Sequence, residues 1–376
     1  MCTSFRLIAE DSTVVVGRTM EYPSLLDAEL VVIPRGFAMH SHAPGDEVGH
    51  RWTATYGAIG VDAFPKADAE TGRYTWTDGV NEAGVYVGLL YHPGFCEYGT
   101  SDGVPPERLM TAAHFAAFVL TTCATAGEAR AALEELTFWP WHPPGLRVPM
   151  LCHFAIHDAA GASVVVEWDA GEMRVLDNPL GVLTNAPGFD WHMTNLRNYV
   201  NLHATDVHSV EIGGVKLKPL GVGSGMRGLP GDSTPPARFI RAVAYTSAAE
   251  HQPDGAAAEN MALHVVNNFD IPEGLIVESL DPPIEGQTTW SSITNLAERS
   301  YSIRMQRDHT FRKVRLAELD LDADRLRTMP LPAAQTFPAA RPPVLGSCRS
   351  ARRDIARGSP TWPMTTSTVI SSSRAR

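Results

Sequence analysis

Apolar positions first recur in short alternating runs. Phe5–Glu10 and Thr13–Thr19 read as two strands of a hairpin turning at Asp11-Ser12, and Glu29–Pro34 is a further apolar strand. Ala83–Tyr91 (AGVYVGLLY) is almost continuously apolar, as a strand buried on both faces is. The period then lengthens. Pro105–Cys123 opens with prolines and a glutamate and runs on through apolar residues, and Thr125–Leu136 (TAGEARAALEEL) repeats at helical spacing behind a threonine cap. Strands return at Leu151–Asp158, Ser163–Trp168, Glu172–Leu176 and Val182–Thr184, with Ala159-Ala160-Gly161 as a hairpin signal between the first two. Asp190–Leu202 reads as helix. A glycine-rich loop from Leu220 to Asp232 leads into a helix over Ser233–Glu250, whose Pro235 and Pro236 fall in the first turn where proline is tolerated, and Ala256–Phe269 follows as its partner. Thr288–Leu296, Ser300–Gln306 and Thr310–Glu318 close the series as strands. The order β, αα, β, αα, β predicts an α+β fold of antiparallel sheets with helix pairs outside, not the βαβ alternation of a doubly wound sheet.

The periodicity stops near Leu331, where Pro, Ala, Ser, Thr and Arg take over. The expectation is a single domain over 1–330 and a disordered basic tail over 331–376. Composition agrees: of 376 residues 44% are hydrophobic, enough to bury a large core without staples. The net charge is −11, yet the tail carries seven arginines against one aspartate. An acidic body excludes a nucleic-acid surface, which needs a basic stripe. No run of about 18 apolar residues occurs, so no membrane-spanning helix is expected. The start, Met-Cys-Thr-Ser-Phe-Arg, has neither a basic n-region nor an apolar stretch, which predicts a cytoplasmic protein without a secretory signal. Cysteines 2, 96, 123, 152 and 348 are scattered without a C-x-x-C pair, as reduced thiols are.

Candidate chemistry begins at Cys2. Methionine before a small residue is normally removed, so Cys2 becomes the mature amino terminus and carries nucleophile and base together. An α-amine titrates near about 7.7–8.0 and a thiol near about 8.5, so the amine can take the thiol proton without a histidine. A lone cysteine after the start codon is more often a packing residue. Arg18 and Glu21, in GRTMEY, return on the hairpin beside residue 2; the bland alternative is a surface ion pair. Asn81 in TDGVNEAG and Asn185 in GVLTNAP are either turn asparagines or amides aimed at a developing oxyanion.

MCTSF, GRTMEY, DGVNEAG, GVLTNAP-FDWH and LGVGSGMRGLPGDSTPPARFIRA together resemble, in order and spacing, the choloylglycine hydrolase family, over Met1 to roughly Leu326. That family comprises bile salt hydrolases and penicillin V acylases among the N-terminal nucleophile hydrolases. The resemblance implies an αββα four-layer sandwich and a cysteine-nucleophile amidohydrolase of linear C–N amide bonds, freed by processing of Met1. It implies Cys2 as nucleophile, Arg18 beside the thiol, Asn185 holding the reacting group, Asn81 as oxyanion donor and Arg238 lining the site. It further implies a homotetramer held partly by the segment 189–218. Glu21 stands where the family usually has aspartate, which moves the carboxylate out by one methylene.

The expected partner is a small N-acyl amide with an apolar or aromatic acyl side, for which Met20, Tyr22, Phe64 and Tyr91 are candidate lining residues. The tyrosine and histidine of VGLLYHPGF lean towards the penicillin V acylase branch, which includes acyl homoserine lactone hydrolysis; a bile salt hydrolase and an inactive, ligand-binding paralogue are the alternatives. No cofactor or metal is expected. Gly223-x-Gly225-x-x-Gly228 sits in a loop with no strand before it or helix directly after, unlike a dinucleotide fingerprint. His153 and His157 are four apart in an apparent strand, where that spacing builds no helical ligand pair, and no zinc motif or G-x-S-x-G occurs.

Overall fold

The computed structural model describes residues 1–335 except 24–25, 27, 64–73, 143–149, 280–282 and 332–333. The contacts divide the chain into Met1–Gln335 and Thr336–Arg376; the basic tail therefore lies outside the described residues. Strands run in chain order as β1 (Cys2–Ile8), β2 (Val14–Tyr22), β3 (Glu29–Ile33), β4 (Ala38–Ala43), β5 (Glu47–Thr53), β6 (Ala58–Asp62), β7 (Trp76–Asn81) and β8 (Val85–Tyr91). The two-residue β9 (Leu109–Met110) and β10 (Thr137–Phe138) precede β11 (Cys152–Asp158), β12 (Ser163–Asp169) and β13 (Glu172–Asp177). A hairpin of β14 (Val210–Ile212) and β15 (Val215–Leu217) is followed by β16 (Ile276–Glu278), β17 (Ile284–Asn295), β18 (Ser300–Met305), β19 (Asp308–Arg315) and β20 (Arg327–Pro330). The helices are α1 (Phe115–Thr122), α2 (Ala126–Glu134), α3 (Phe189–Leu196), α4 (Pro235–Ala248) and α5 (Gly255–Val266).

Two antiparallel sheets carry the fold. One is ordered β1-β2-β17-β18-β19, with β16 added beside β17, and the other β13-β12-β11-β8-β7-β6-β3-β20. Helices α4 and α5 cover β1, β2 and β17, while α1 and α2 cover β7, β8 and β11. The four layers are those expected from the order of elements. A first core joins the sheets to α4 and α5 through Phe5, Tyr86, Leu90, Trp290, Ala242 and Val265, and a second packs Phe115, Val119 and Leu133 on Phe154 and Trp168. Thr125 caps α2 as predicted, its hydroxyl accepting from the Glu128 N–H at 3.0 Å.

Three expectations are corrected. Pro105–Cys123 is not one helix: Pro106–Arg108 is a tight turn, Leu109–Met110 leaves to pair with Thr137–Phe138, and α1 starts only at Phe115. Val182–Thr184 forms no strand, only a single bridge of Leu183 to Ser4. TDGVNEAG reads as a turn around Asn81, but Trp76–Asn81 is a fully buried strand and only the residues after it turn. Strands β4, β5 and β6 have no counterpart in the sequence reading, because their glycines and histidines blur the alternation. Cys2, Cys96, Cys123 and Cys152 are free and buried, and among the described residues no helix is long and apolar enough to cross a membrane.

Candidate active site

The β1–β2 ladder fixes residue 2. Cys2 pairs with Met20, Thr3 with Thr19 and Ser4 with Arg18, so side chains of 2, 4, 18 and 20 share one face and those of 3, 19 and 21 the other. The first face meets the opposite sheet. There the Arg18 guanidinium lies 3.8 Å from Cys2 Sγ, and the Met20 thioether lies 3.5 Å from the same sulfur. Arg18 is fully buried and donates to Asp78 Oδ1 at 2.7 Å and to the Leu89 carbonyl at 2.5 Å. Asp78 also accepts from Thr77, Ser292 and Tyr301, so the buried ion pair is hydrogen-bonded on both oxygens. Burial lowers the Arg18 pKa most strongly, but the charges of Asp78, Cys2, Tyr86 and Tyr301 together outweigh it and hold the guanidinium above its ordinary value.

Glu21 points the other way, towards the helix layer rather than the thiol. Its Oε1 accepts from Thr288 Oγ1 at 3.1 Å, and Oε2 has no hydrogen-bond partner. Burial pushes this carboxyl above its ordinary pKa, opposed by the charges of Arg238 and the terminal amine. Met1 extends the ladder by one residue: its amine donates to the Glu21 carbonyl at 2.9 Å, and the Glu21 N–H donates to the Met1 carbonyl at 2.9 Å.

The bridge of Leu183 to Ser4 sets the register of a second segment against β1, with both backbone bonds made at 2.8 and 2.9 Å. Two residues on, Asn185 is level with residue 2, and its Oδ1 accepts from the Cys2 N–H at 2.7 Å. The same oxygen accepts from Arg238 Nη2 at 2.7 Å, while Asn185 Nδ2 donates to the Tyr91 carbonyl at 2.7 Å. Arg238, on α4, is fully buried. It donates to the Cys2 carbonyl, to Thr3 Oγ1 at 2.8 Å and to the Ser233 carbonyl at 2.9 Å. It thus holds the backbone of residue 2 from the helix side instead of lining an open pocket.

Cys2, Arg18, Glu21, Asn185 and Arg238 converge. Asn81 does not join them. Its Nδ2 donates to the Leu120 and Cys123 carbonyls at 2.8 and 2.7 Å, and its Oδ1 accepts from the Ala83 and Val85 N–H groups. An amide with both hydrogens engaged by carbonyls has none left for an oxyanion, so the expected donor role is corrected. Met20 is buried beside the thiol; Tyr22 is half-buried and Tyr91 38% exposed, and the two are close enough to interact electrostatically. Phe64 lies outside the described residues. Sequence reasoning missed Asp78, Thr288 and the buried His153, Glu167 and His192; the contacts of Asp78 with Arg18 and of Thr288 with Glu21 join residues far apart along the chain.

One side-chain group, His92, His153 and Glu167, brings candidate donor atoms within 4.8 Å of one another. The two imidazoles are stacked, with centres 4.1 Å apart and planes 8° from parallel. Ring lone pairs lie in the ring plane, so near-parallel stacked rings do not aim at one ion. An open hollow lined by Arg35, Glu82, Arg299 and Asp322 shares no residue with the thiol's surroundings.

The sequence model of a family described as linear amide C–N hydrolases, choloylglycine hydrolase family, matches residues 2–329. A bile salt hydrolase/transferase of Clostridium perfringens is 29% identical over 337 residues, 87% of this chain and 96% of that one. A penicillin V acylase of Pectobacterium atrosepticum is 24% identical over 302 residues, 76% of this chain and 73% of that one. The crystal structure of a variant of the conjugated bile acid hydrolase from Clostridium perfringens matches with a TM-score of 0.78 at 26% identity, over 90% of this chain and all of that one. The αββα architecture is that of the N-terminal nucleophile hydrolases.

Proposed function

The chain belongs to the choloylglycine hydrolase family of linear amide C–N hydrolases, and from that premise we propose that it cleaves small N-acyl amides with Cys2 as nucleophile once Met1 is removed. It is a hydrolase of carbon–nitrogen bonds other than peptide bonds. The observation that carries the site assignment is the double hold on residue 2: Asn185 Oδ1 on its nitrogen and Arg238 on its carbonyl, with Arg18 against its sulfur.

Removal of Met1 turns the Cys2 nitrogen into a free amine beside the Asn185 oxygen and the Glu21 carboxyl. The amine takes the thiol proton, and the sulfur, facing the Arg18 cation, adds to the amide carbonyl. One Asn185 N–H is held by the Tyr91 carbonyl; the other is free to donate to the oxyanion, the part the sequence reading gave to Asn81. The ammonium returns its proton to the leaving nitrogen as the C–N bond breaks. Water, deprotonated by the same amine, then cleaves the thioester to the free acid and thiol.

The substrate we favour is a conjugated bile salt or an amide of similar form, with a large apolar acyl group. Two relatives named for bile salts, each 29% identical over 87% of this chain, match it better than the penicillin V acylase at 24% over 76%, and that outweighs the lean towards the acylase drawn from Tyr91 and His92. The partly exposed tyrosines 22 and 91 suit an apolar body with a polar edge. The test is amine release from glycocholate, penicillin V and an acyl homoserine lactone under reducing conditions. Preferential cleavage of glycocholate is expected. Preference for penicillin V restores the acylase reading, and silence on all three with Met1 retained in the intact mass supports a ligand-binding paralogue.

A further inference from the structure

Behind Asn185 lies a buried pair with one more acceptor than a neutral histidine can serve. His153 Nε2 is 2.9 Å from the Thr184 carbonyl, and His153 Nδ1 is 2.9 Å from Glu167 Oε1. A carbonyl only accepts, so Nε2 carries a hydrogen. If Nδ1 were bare, its lone pair would face a carboxylate oxygen at contact distance. With Glu167 ionised, both ring nitrogens bear hydrogens, and His153 is an imidazolium paired with a carboxylate in the interior. Glu167 is held below its ordinary carboxyl pKa by His153 although burial pushes it up.

The surroundings fit that charge. A neutral His92, lowered to about 3 by burial, stacks face to face on His153 at 4.1 Å and offers its π face to the cation. His192, lowered to about 4 by burial, is also neutral. Arg238 is close enough for its charge to act on His192, and Arg174 and Asp169 lie outside, at the exposed rim of β12 and β13.

What the pair grips is the loop that carries Asn185. His153 holds the Thr184 carbonyl on one side, and both Glu167 oxygens accept from the Phe189 N–H, at 3.0 and 3.1 Å, on the other. His192 Nε2 donates to the carbonyl of Asn185 itself at 2.8 Å. We propose that the His153 imidazolium and the Glu167 carboxylate are positioning residues that clamp residues 184–189 and so set the Asn185 amide against residue 2. This rests on the reading of Asn185 as the amide that holds the reacting terminus.

Glu167→Gln separates proton from charge. Its amide nitrogen can donate to a neutral His153 Nδ1 while its oxygen keeps the Phe189 N–H, whereas Glu167→Ala leaves both unmet. Imidazole ¹⁵N spectra and the rate of Cys2 alkylation by iodoacetamide need no substrate, so they stand even if the hydrolase reading fails. At neutral pH the wild type is expected to show one ring with both nitrogens protonated, lost in Glu167→Gln and in His153→Phe. Glu167→Gln should alkylate and turn over within about threefold of wild type. Glu167→Ala should lose about 10- to 100-fold in kcat with KM nearly unchanged, the scale of one charged hydrogen bond. Absence of a doubly protonated ring from the wild type overturns the assignment. Persistence of that ring in Glu167→Gln, or wild-type alkylation and kcat in a folded Glu167→Ala, overturns it equally. Should Glu167→Ala not fold, the spectra of the wild type and Glu167→Gln still decide.

Discussion

Glu21 shows what one methylene does at the scale of a residue. The longer carboxylate still reaches Thr288 from the helix-facing side of β2, yet one oxygen is left without a partner in a dry place. A carboxyl raised in the fold adds stability below the ordinary carboxyl range, and that stability is lost as pH climbs through the folded value. With Met1 in place, Glu21→Gln should therefore match wild type in thermal stability near pH 4 and exceed it increasingly towards neutrality. A gap that is constant, or of opposite sign, contradicts the burial argument. Asp78 is the converse case, a carboxylate fully met by Arg18, Thr77, Ser292 and Tyr301. Asp78→Asn strands a buried guanidinium beside the thiol and should cost about 3–5 kcal/mol in urea unfolding. An unchanged midpoint would show that Arg18 finds another partner. Cys2, Arg18, Asn185 and Arg238 were legible because each sits in a dense motif; Asp78 was not, since its partnership joins β2 to β7 across 60 residues of chain.

At the scale of elements, the hairpin and one bridge do the positioning. The β1–β2 register alone puts Met20 and Arg18 beside residue 2, and the Leu183 bridge brings Asn185 level with it. The hairpin, the long helices α2, α4 and α5 and the late strands could be read from their pattern, the helices through one buried face and β2 and β17 through nearly continuous burial. The bridge could not, because two paired residues leave no period. Asn81 misled for a physical reason: asparagine in a glycine-flanked segment looks like a functional amide or a turn, and here it ties the end of β7 to the end of α1. Asn81→Ala leaves two carbonyls and two N–H groups unmet and should lower stability by about 1–3 kcal/mol or more. The folded enzyme should keep kcat within about threefold. A large fall in kcat with an unchanged midpoint would return Asn81 to the active site.

At the scale of the whole molecule, the hairpin of β14 and β15 exposes all six of its residues, with Ile212 66% and Val215 58% accessible, and Leu220 just beyond is fully exposed. An apolar arm of this kind is stable in water when a second copy covers it. The homotetramer that the family resemblance implies would cover it. On that expectation Ile212→Asp should lower the mass seen by light scattering; an unchanged mass, or a wild type that is already monomeric, contradicts it. The acidic body and basic tail remain a matter of sequence alone: residues 336–376 carry the positive charge and lie outside the described structure.

The central claim is that a free amino-terminal Cys2 forms the acyl-enzyme, and it is tested most directly by mass spectrometry of the amino-terminal peptide after rapid quenching with glycocholate. The account predicts a peptide that begins at Cys2, lacks Met1 and carries the acyl group as a thioester, with no adduct in Cys2→Ala. Turnover by a chain that keeps Met1, or by Cys2→Ala, would contradict it.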